Sequence, residues 1–223
     1  MRIINVAIDG PAGAGKSTIS RKAAAELGFI YIDTGALYRT VGLNAMRKGA
    51  DLDDFESVAA TLTEDLKVEL KFIDGEQRMF LCGEDVSDKI RTPEASSAAS
   101  KVSAVPAVRA YLFDLQKQLA AENSCVMDGR DIGTVVLPDA DVKIFLTASP
   151  QARAQRRYKE LIEKGMDVKY DDVLADMIKR DYDDSHRAIA PLKQADDAIL
   201  ADTSDIDLQQ SIELIISIIK ENI

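Results

Sequence analysis

Residues Gly10-Pro11-Ala12-Gly13-Ala14-Gly15-Lys16-Ser17 fit the pattern GxxxxGK(S/T), in which glycines let backbone N–H groups turn inward around a phosphate. Lys16 is spaced to span the two outer phosphates of a nucleoside triphosphate, and the Ser17 hydroxyl can ligate Mg2+. A helix opening at Lys16 adds positive partial charge at its amino terminus, so Gly10 through Ser17, with Thr18, are candidate triphosphate-binding residues.

Three further clusters carry charge in patterns suited to phosphate. In Ser149-Pro150-Gln151-Ala152-Arg153-Ala154-Gln155-Arg156-Arg157, a Ser cap and a Pro in the first turn predict a helix with Arg153, Arg156 and Arg157 on one face. Such a face is cheap in water and useful against a triphosphate, where guanidinium groups neutralise charge that spreads in the transition state. Arg180, Asp184 and Arg187 recur at i, i+4 and i+7 before Pro191, a stripe that an ion pair between Arg180 and Asp184 also explains. Asp128-Gly129-Arg130-Asp131 follows the apolar Cys125-Val126-Met127, at the strand end where open α/β sheets bind ligands. A tight turn accounts for Asp-Gly there but not for Arg-Asp.

Alternating strand and helix signals must position these groups. Ile3 to Ile8 reads as a buried strand, and Lys16 to Leu27 as a helix with Ile19, Ala23 and Leu27 on one side and Gly28 as C-cap. Phe29 to Ile32 is a second strand, after which Thr34 is expected to cap a helix from Gly35 to Lys48 carrying Leu37, Val41 and Ala45. The period then changes. Leu66, Val68, Leu70 and Phe72 alternate with charged residues, and Asp74-Gly75 separates them from Arg78-Met79-Phe80-Leu81, which predicts an antiparallel hairpin. Helices follow from Thr92-Pro93 and from Pro106, so residues from about 50 to 105 read as an insertion. The α/β rhythm resumes with strands Cys125 to Met127 and Val142 to Leu146, helices near Pro150 and Asp171, strand Ala198 to Leu200 and a helix from Asp207 to Lys220.

Composition narrows the function classes. With 28 Lys plus Arg against 38 Asp plus Glu in 223 residues, the net charge of −10 has the wrong sign for general attraction to nucleic acid or anionic lipid, so any anion must be held in a local pocket. Cys82 and Cys125 form no CxxC pair, which argues against a disulfide framework or zinc site. The one His186 sits in a polar run and reads as surface, leaving little room for a Ser-His-Asp hydrolase. No signal peptide or membrane span is visible, and a cytoplasmic protein is expected. No Gly has Asp three positions before it and no Asn precedes Lys, so the DxxG and NKxD marks of a GTPase switch are missing. A motor ATPase usually needs more chain, whereas a small-molecule kinase needs arginine-rich acceptor and lid segments, which are present.

The chain resembles the bacterial cytidylate kinases, nucleoside monophosphate kinases, over essentially its whole length. The likeness rests on Ile8-Asp9-Gly10-Pro11, Asp33-Thr34-Gly35-Ala36-Leu37-Tyr38-Arg39, Val86-Ser87-Asp88-Lys89-Ile90-Arg91-Thr92 and Ala98-Ala99-Ser100. It continues in Asp128-Gly129-Arg130-Asp131-Ile132-Gly133-Thr134, Lys143-Ile144-Phe145-Leu146 and Arg187-Ala188-Ile189-Ala190-Pro191-Leu192. The resemblance implies an α/β fold: a P-loop NTPase core with a central parallel sheet flanked by helices, an inserted acceptor-binding subdomain with a small antiparallel sheet, and a helical lid. The whole of 1–223 is expected to act as a single kinase domain, with the acceptor region at about 34–105 and the lid at about 150–165.

The activity implied is transfer of the γ-phosphoryl group of MgATP to CMP or dCMP by a monomer, with Mg2+ as cofactor and no nucleic acid or membrane partner. By resemblance, Arg39, Arg130 and Arg187 hold the acceptor phosphate, Arg180 and Asp184 the sugar, and Ser100, Arg109 and Asp131 the cytosine edge. Lys16, Arg130, Arg153 and Arg157 are the expected catalytic groups. Thr34 stands where the family commonly has Ser, and either hydroxyl can touch the ligand. No general base is needed, because a phosphate monoester with a second pKa near 6 is already mostly dianionic at pH 7. A kinase for UMP, AMP or shikimate, and a non-enzymatic ATP sensor, share the same cradle and remain as alternatives.

Overall fold

The computed structural model describes residues 2–73 and 75–223, so Asp74 of the expected hairpin turn lies outside the described residues. Two compact units emerge, one of Met1–Tyr31 with Ala121–Ile223 and the other of Ile32–Ala120.

The first unit carries the parallel sheet, apart from Ile32 and Asp33 at the end of its second strand. Its strands are β1 (Asn5–Asp9), β2 (Ile30–Asp33), β6 (Cys125–Gly129), β7 (Val142–Thr147) and β8 (Ile199–Asp202), in the order β2-β6-β1-β7-β8. β1 lies in the middle, pairing in parallel with β6 through Ile8 opposite Asp128 and with β7 through Ile8 opposite Ile144. Being hydrogen-bonded on both edges and covered on both faces, β1 and β6 are apolar almost throughout, which is why the runs before Asp9 and Asp128 show no alternation. Helices α1 (Lys16–Leu27) and α8 (Leu208–Asn222) belong to this layer, and Ile19, Ala23, Ile215 and Ile219 pack with Val6, Ile8, Val126 and Ile144 in its core. Gly28 ends α1 in the left-handed conformation, as its place in the sequence predicts. α6 (Pro150–Glu163) and α7 (Tyr170–His186) form a hairpin around Ala154, Leu161, Val173 and Met177.

In the second unit, α2 (Thr34–Arg47) starts one residue earlier than expected. Asp33, not Thr34, is the cap, its carboxylate accepting from the Ala36 N–H at 2.9 Å. A carboxylate at this position also meets the positive end of the helix, which a hydroxyl does less well. The hairpin forms from β3 (Val68–Ile73) and β4 (Glu76–Leu81), and a short β5 (Glu84–Asp85) extends it. Besides the expected α4 (Pro93–Val102) and α5 (Pro106–Glu122), a five-residue α3 (Phe55–Ala59) appears, too short for periodicity to reveal. α2 and α4 cross so closely that a Cβ on Gly42 would lie 3.0 Å from that of Ala98. Among the described residues no helix is long and apolar enough to cross a membrane.

Candidate active site

The loop joining β1 to α1 takes the shape its glycines allow. Gly13 and Gly15 sit at φ 73° and 85°, and Gly10 lies so near β7 that any Cβ would overlap the Leu146 carbonyl. With the N–H groups turned inward, the loop carbonyls must find donors elsewhere. Lys16 Nζ donates to the Pro11 carbonyl at 2.8 Å, and Arg153 Nη1 to that of Ala12 at 2.8 Å. Lys16 is buried. Burial, then the positive charge of Arg130, pushes its ammonium well below the usual lysine value, while Asp128, Asp184 and Asp9 pull the other way. A triphosphate placed in the loop would add negative charge beside this ammonium.

Beside the loop, Asp128, one residue before the end of β6, has a buried carboxylate that accepts from Ser17 Oγ at 2.9 Å and from the Tyr31 hydroxyl at 3.0 Å. Ser17 and Asp128 together present hard oxygen donors to one point. Two such ligands suit Mg2+, which keeps several waters and takes its remaining oxygens from phosphate. Asp128 was not assigned this place from sequence, although an apolar run ending in Asp beside the loop was the available signal.

Next along the chain come the charged residues of the turn after β6. Arg130 Nε donates to Asp184 Oδ2 at 2.8 Å, and Arg187 Nη2 to Asp131 Oδ1 at 3.4 Å, so two ion pairs tie the turn after β6 to α7 and its end. Burial pushes the Asp184 carboxyl up, but Arg130, with Arg180 and Arg187 behind it, holds it below the ordinary aspartate value. The hydrogen-bonded partner of Asp184 is thus Arg130, with Arg180 adding its charge, rather than an intrahelical pair alone. Asp9 holds the turn from beneath. Its buried carboxylate accepts from Ile132 N at 2.8 Å and Gly133 N at 2.7 Å, at the start of a π-helical turn, Ile132–Val136. Burial pushes Asp9 up to about 6 despite those two bonds.

The arginines of α6 diverge. Arg153 turns inward, Arg156 donates to the Thr203 carbonyl, and half-exposed Arg157 pairs with Glu160 at 2.8 Å. The one-face reading therefore holds for spacing but not for destination. Residues three and four apart share a side of a helix, yet that side spans a range of directions. His186 is exposed and stacks on Tyr182, as a surface position should.

Within the second unit, Arg39 pairs with Asp33 at 2.8 Å, and a Cβ on Gly35 would crowd both. Arg109 lies over the Tyr38 ring at 5.9 Å, Thr34 is buried, and Ser100 is partly buried on α4.

The family model described as cytidylate kinase matches residues 6–221. A cytidylate kinase from Caldicellulosiruptor bescii is 47% identical, covering 100% of both chains, and one from Pelotomaculum thermopropionicum is 49% identical over 96% of this chain and 94% of its own. A solved structure of an uncharacterized protein from Eubacterium ventriosum has a TM-score of 0.53 at 14% identity, over 97% of this chain and 98% of that one, which speaks for the fold alone.

Proposed function

The chain belongs to the cytidylate kinase family, and from that premise we propose how its residues carry the reaction. The enzyme transfers the γ-phosphoryl group of ATP to CMP or dCMP, giving ADP and CDP or dCDP. The bond from the γ-phosphorus to the β,γ-bridging oxygen breaks, and one forms to an oxygen of the acceptor phosphate.

The observation that carries the residue assignment is the hydrogen bond from Ser17 of the loop to Asp128, with Lys16 and Asp128 both buried, which brings the loop and the end of β6 together. In this reading Gly10 to Thr18 wrap the ATP phosphates, and Lys16 leaves the Pro11 carbonyl for the γ-phosphoryl oxygens. Ser17 and Asp128 would hold Mg2+, which when bound would neutralise charge on the phosphates. Arg130 and Arg187 orient the acceptor dianion in line, so positioning and charge neutralisation replace a general base, and Arg39 enters through the family resemblance alone. Arg180 and Asp184 face the sugar, and Asp131, an acceptor-only carboxylate, accepts a hydrogen bond from the cytosine amino group. Thr34, Ser100 and Arg109 enter through the family resemblance. Arg157, half-exposed on α6, is the lid arginine best placed to swing onto ATP. The two units act as one kinase, a cytoplasmic monomer, with α6 as the lid.

A coupled assay of ADP release tests this with CMP, dCMP, UMP and AMP in turn. Turnover with CMP and dCMP that needs Mg2+ is expected, and no turnover with either would overturn the reading.

A further inference from the structure

Arg153 is 2% exposed, and its guanidinium joins three segments of chain. Nε donates to the Ala148 carbonyl between β7 and α6 at 2.8 Å, and Nη1 donates both to the Ala12 carbonyl of the phosphate loop and to Asp181 Oδ1 on α7. Nη2 completes a bidentate pair with Asp181 Oδ2 at 2.5 Å. Four of its five N–H groups are therefore spent on protein oxygens, leaving little for a nucleotide.

We propose that Asp181 is a positioning residue for the ATP phosphates, fixing Arg153 and through it the Ala12 carbonyl of the loop. The reasoning is one of counted donors. A loop that turns its N–H groups toward phosphate turns carbonyls away from it, and a buried carbonyl left without a donor is costly. Pro11 is served by Lys16 only until Lys16 is drawn to ATP, whereas Ala12 is served by Arg153, whose fork the Asp181 carboxylate holds in plane. Without Asp181 the buried guanidinium loses its countercharge, and its direction is no longer set.

A second contact points the same way. Met177, one turn before Asp181 on α7, lies against Gly13, where a Cβ would come within 2.9 Å of its methyl and 3.4 Å of Arg153 Cβ. One side of α7, through Met177 and Asp181, thus shapes the donor loop. Another carries Asp184 to Arg130, on the acceptor side. Asp181 stands among acidic residues, Asp183 and Asp184, and nothing in its spacing set it apart.

The inference rests on the phosphoryl-transfer reading, and its test is separable from it: wild type failing to phosphorylate CMP would sink that reading, while the variants address Asp181. Asp181→Asn is expected to raise the KM for ATP about tenfold and lower kcat, leave the KM for CMP within about twofold, and speed amide exchange at residues 12–15. Asp181→Glu, which keeps the charge, is expected to recover most of the ATP affinity. Arg153→Lys should raise the KM for ATP, and the double variant with Asp181→Asn should be no worse than Arg153→Lys alone, because both act through one fork. An unchanged KM for ATP, or equal rises for ATP and CMP in both Asp181 variants, would overturn the proposal. So would strictly additive losses in the double variant, which would mean that Arg153 meets ATP by itself.

Discussion

The Ser17 hydroxyl donates a 2.9 Å hydrogen bond to the Asp128 carboxylate, joining the phosphate loop to the end of β6 across 111 residues of chain. Both oxygens are hard donors, and in the proposed reading they would hold Mg2+. Asp128→Asn keeps the shape and removes the charge. It is expected to raise the Mg2+ concentration for half-maximal rate by about ten- to a hundredfold. Initial rates against free Mg2+ at saturating nucleotide check this, and an unaltered Mg2+ curve would remove Asp128 from the metal site.

Lys16→Ala deletes a buried ammonium that burial and Arg130 already disfavour, so the apo fold should tolerate its loss. Catalysis should not. A fall in kcat of at least ~10²-fold is expected, because the missing charge is aimed at the transferring group. Thermal melts alongside steady-state rates separate the two effects.

Asp131 accepts from Arg187, so two roles compete: reading the cytosine amino group, and steering Arg187. Asp131→Ala is expected to lower kcat/KM for CMP by about ten- to a hundredfold and to narrow the preference over UMP, whose carbonyl at that position repels a carboxylate. Equal losses for CMP and UMP would leave Asp131 with the steering role only.

Asp9 should titrate near pH 6, which carboxyl carbon NMR can follow in the folded enzyme. Since its folded value lies above the ordinary 3.8, the protonated form is favoured by folding. Its contribution to stability is full below the unfolded value and lost as pH rises through about 6. Relative to Asp9→Asn, wild type should therefore lose stability between about pH 4 and 6, by at most a few kcal/mol. A pH-independent difference would mean that Asp9 does not titrate there.

Cys125 is buried in β6, which pushes its thiol up to about 12, whereas Cys82 is exposed. Thiol titration at pH 8 should find one reactive group in the native enzyme and two after denaturation.

Much of this site was legible in the chain itself, because its strongest signals are local. The glycine spacing of the phosphate loop, Gly28 as a C-cap, the Leu66 to Leu81 alternation and the Ser149-Pro150 helix start each depend on backbone preferences within a few residues, and each appears in the folded protein. Thr34 failed as a cap because Asp33, one residue earlier, competes for the same N–H groups with a full charge. What the sequence alone could not decide was partnership. Parallel pairing of β1 with β6 set Ile8 beside Asp128 and so brought that carboxylate to Ser17, and the packing of α6 on α7 sent Arg153 to Asp181 and the loop while its neighbours turned elsewhere. Charged side chains find partners by distance in space, and in a crossover fold that distance is set by sheet order and helix packing, which no spacing along the chain records.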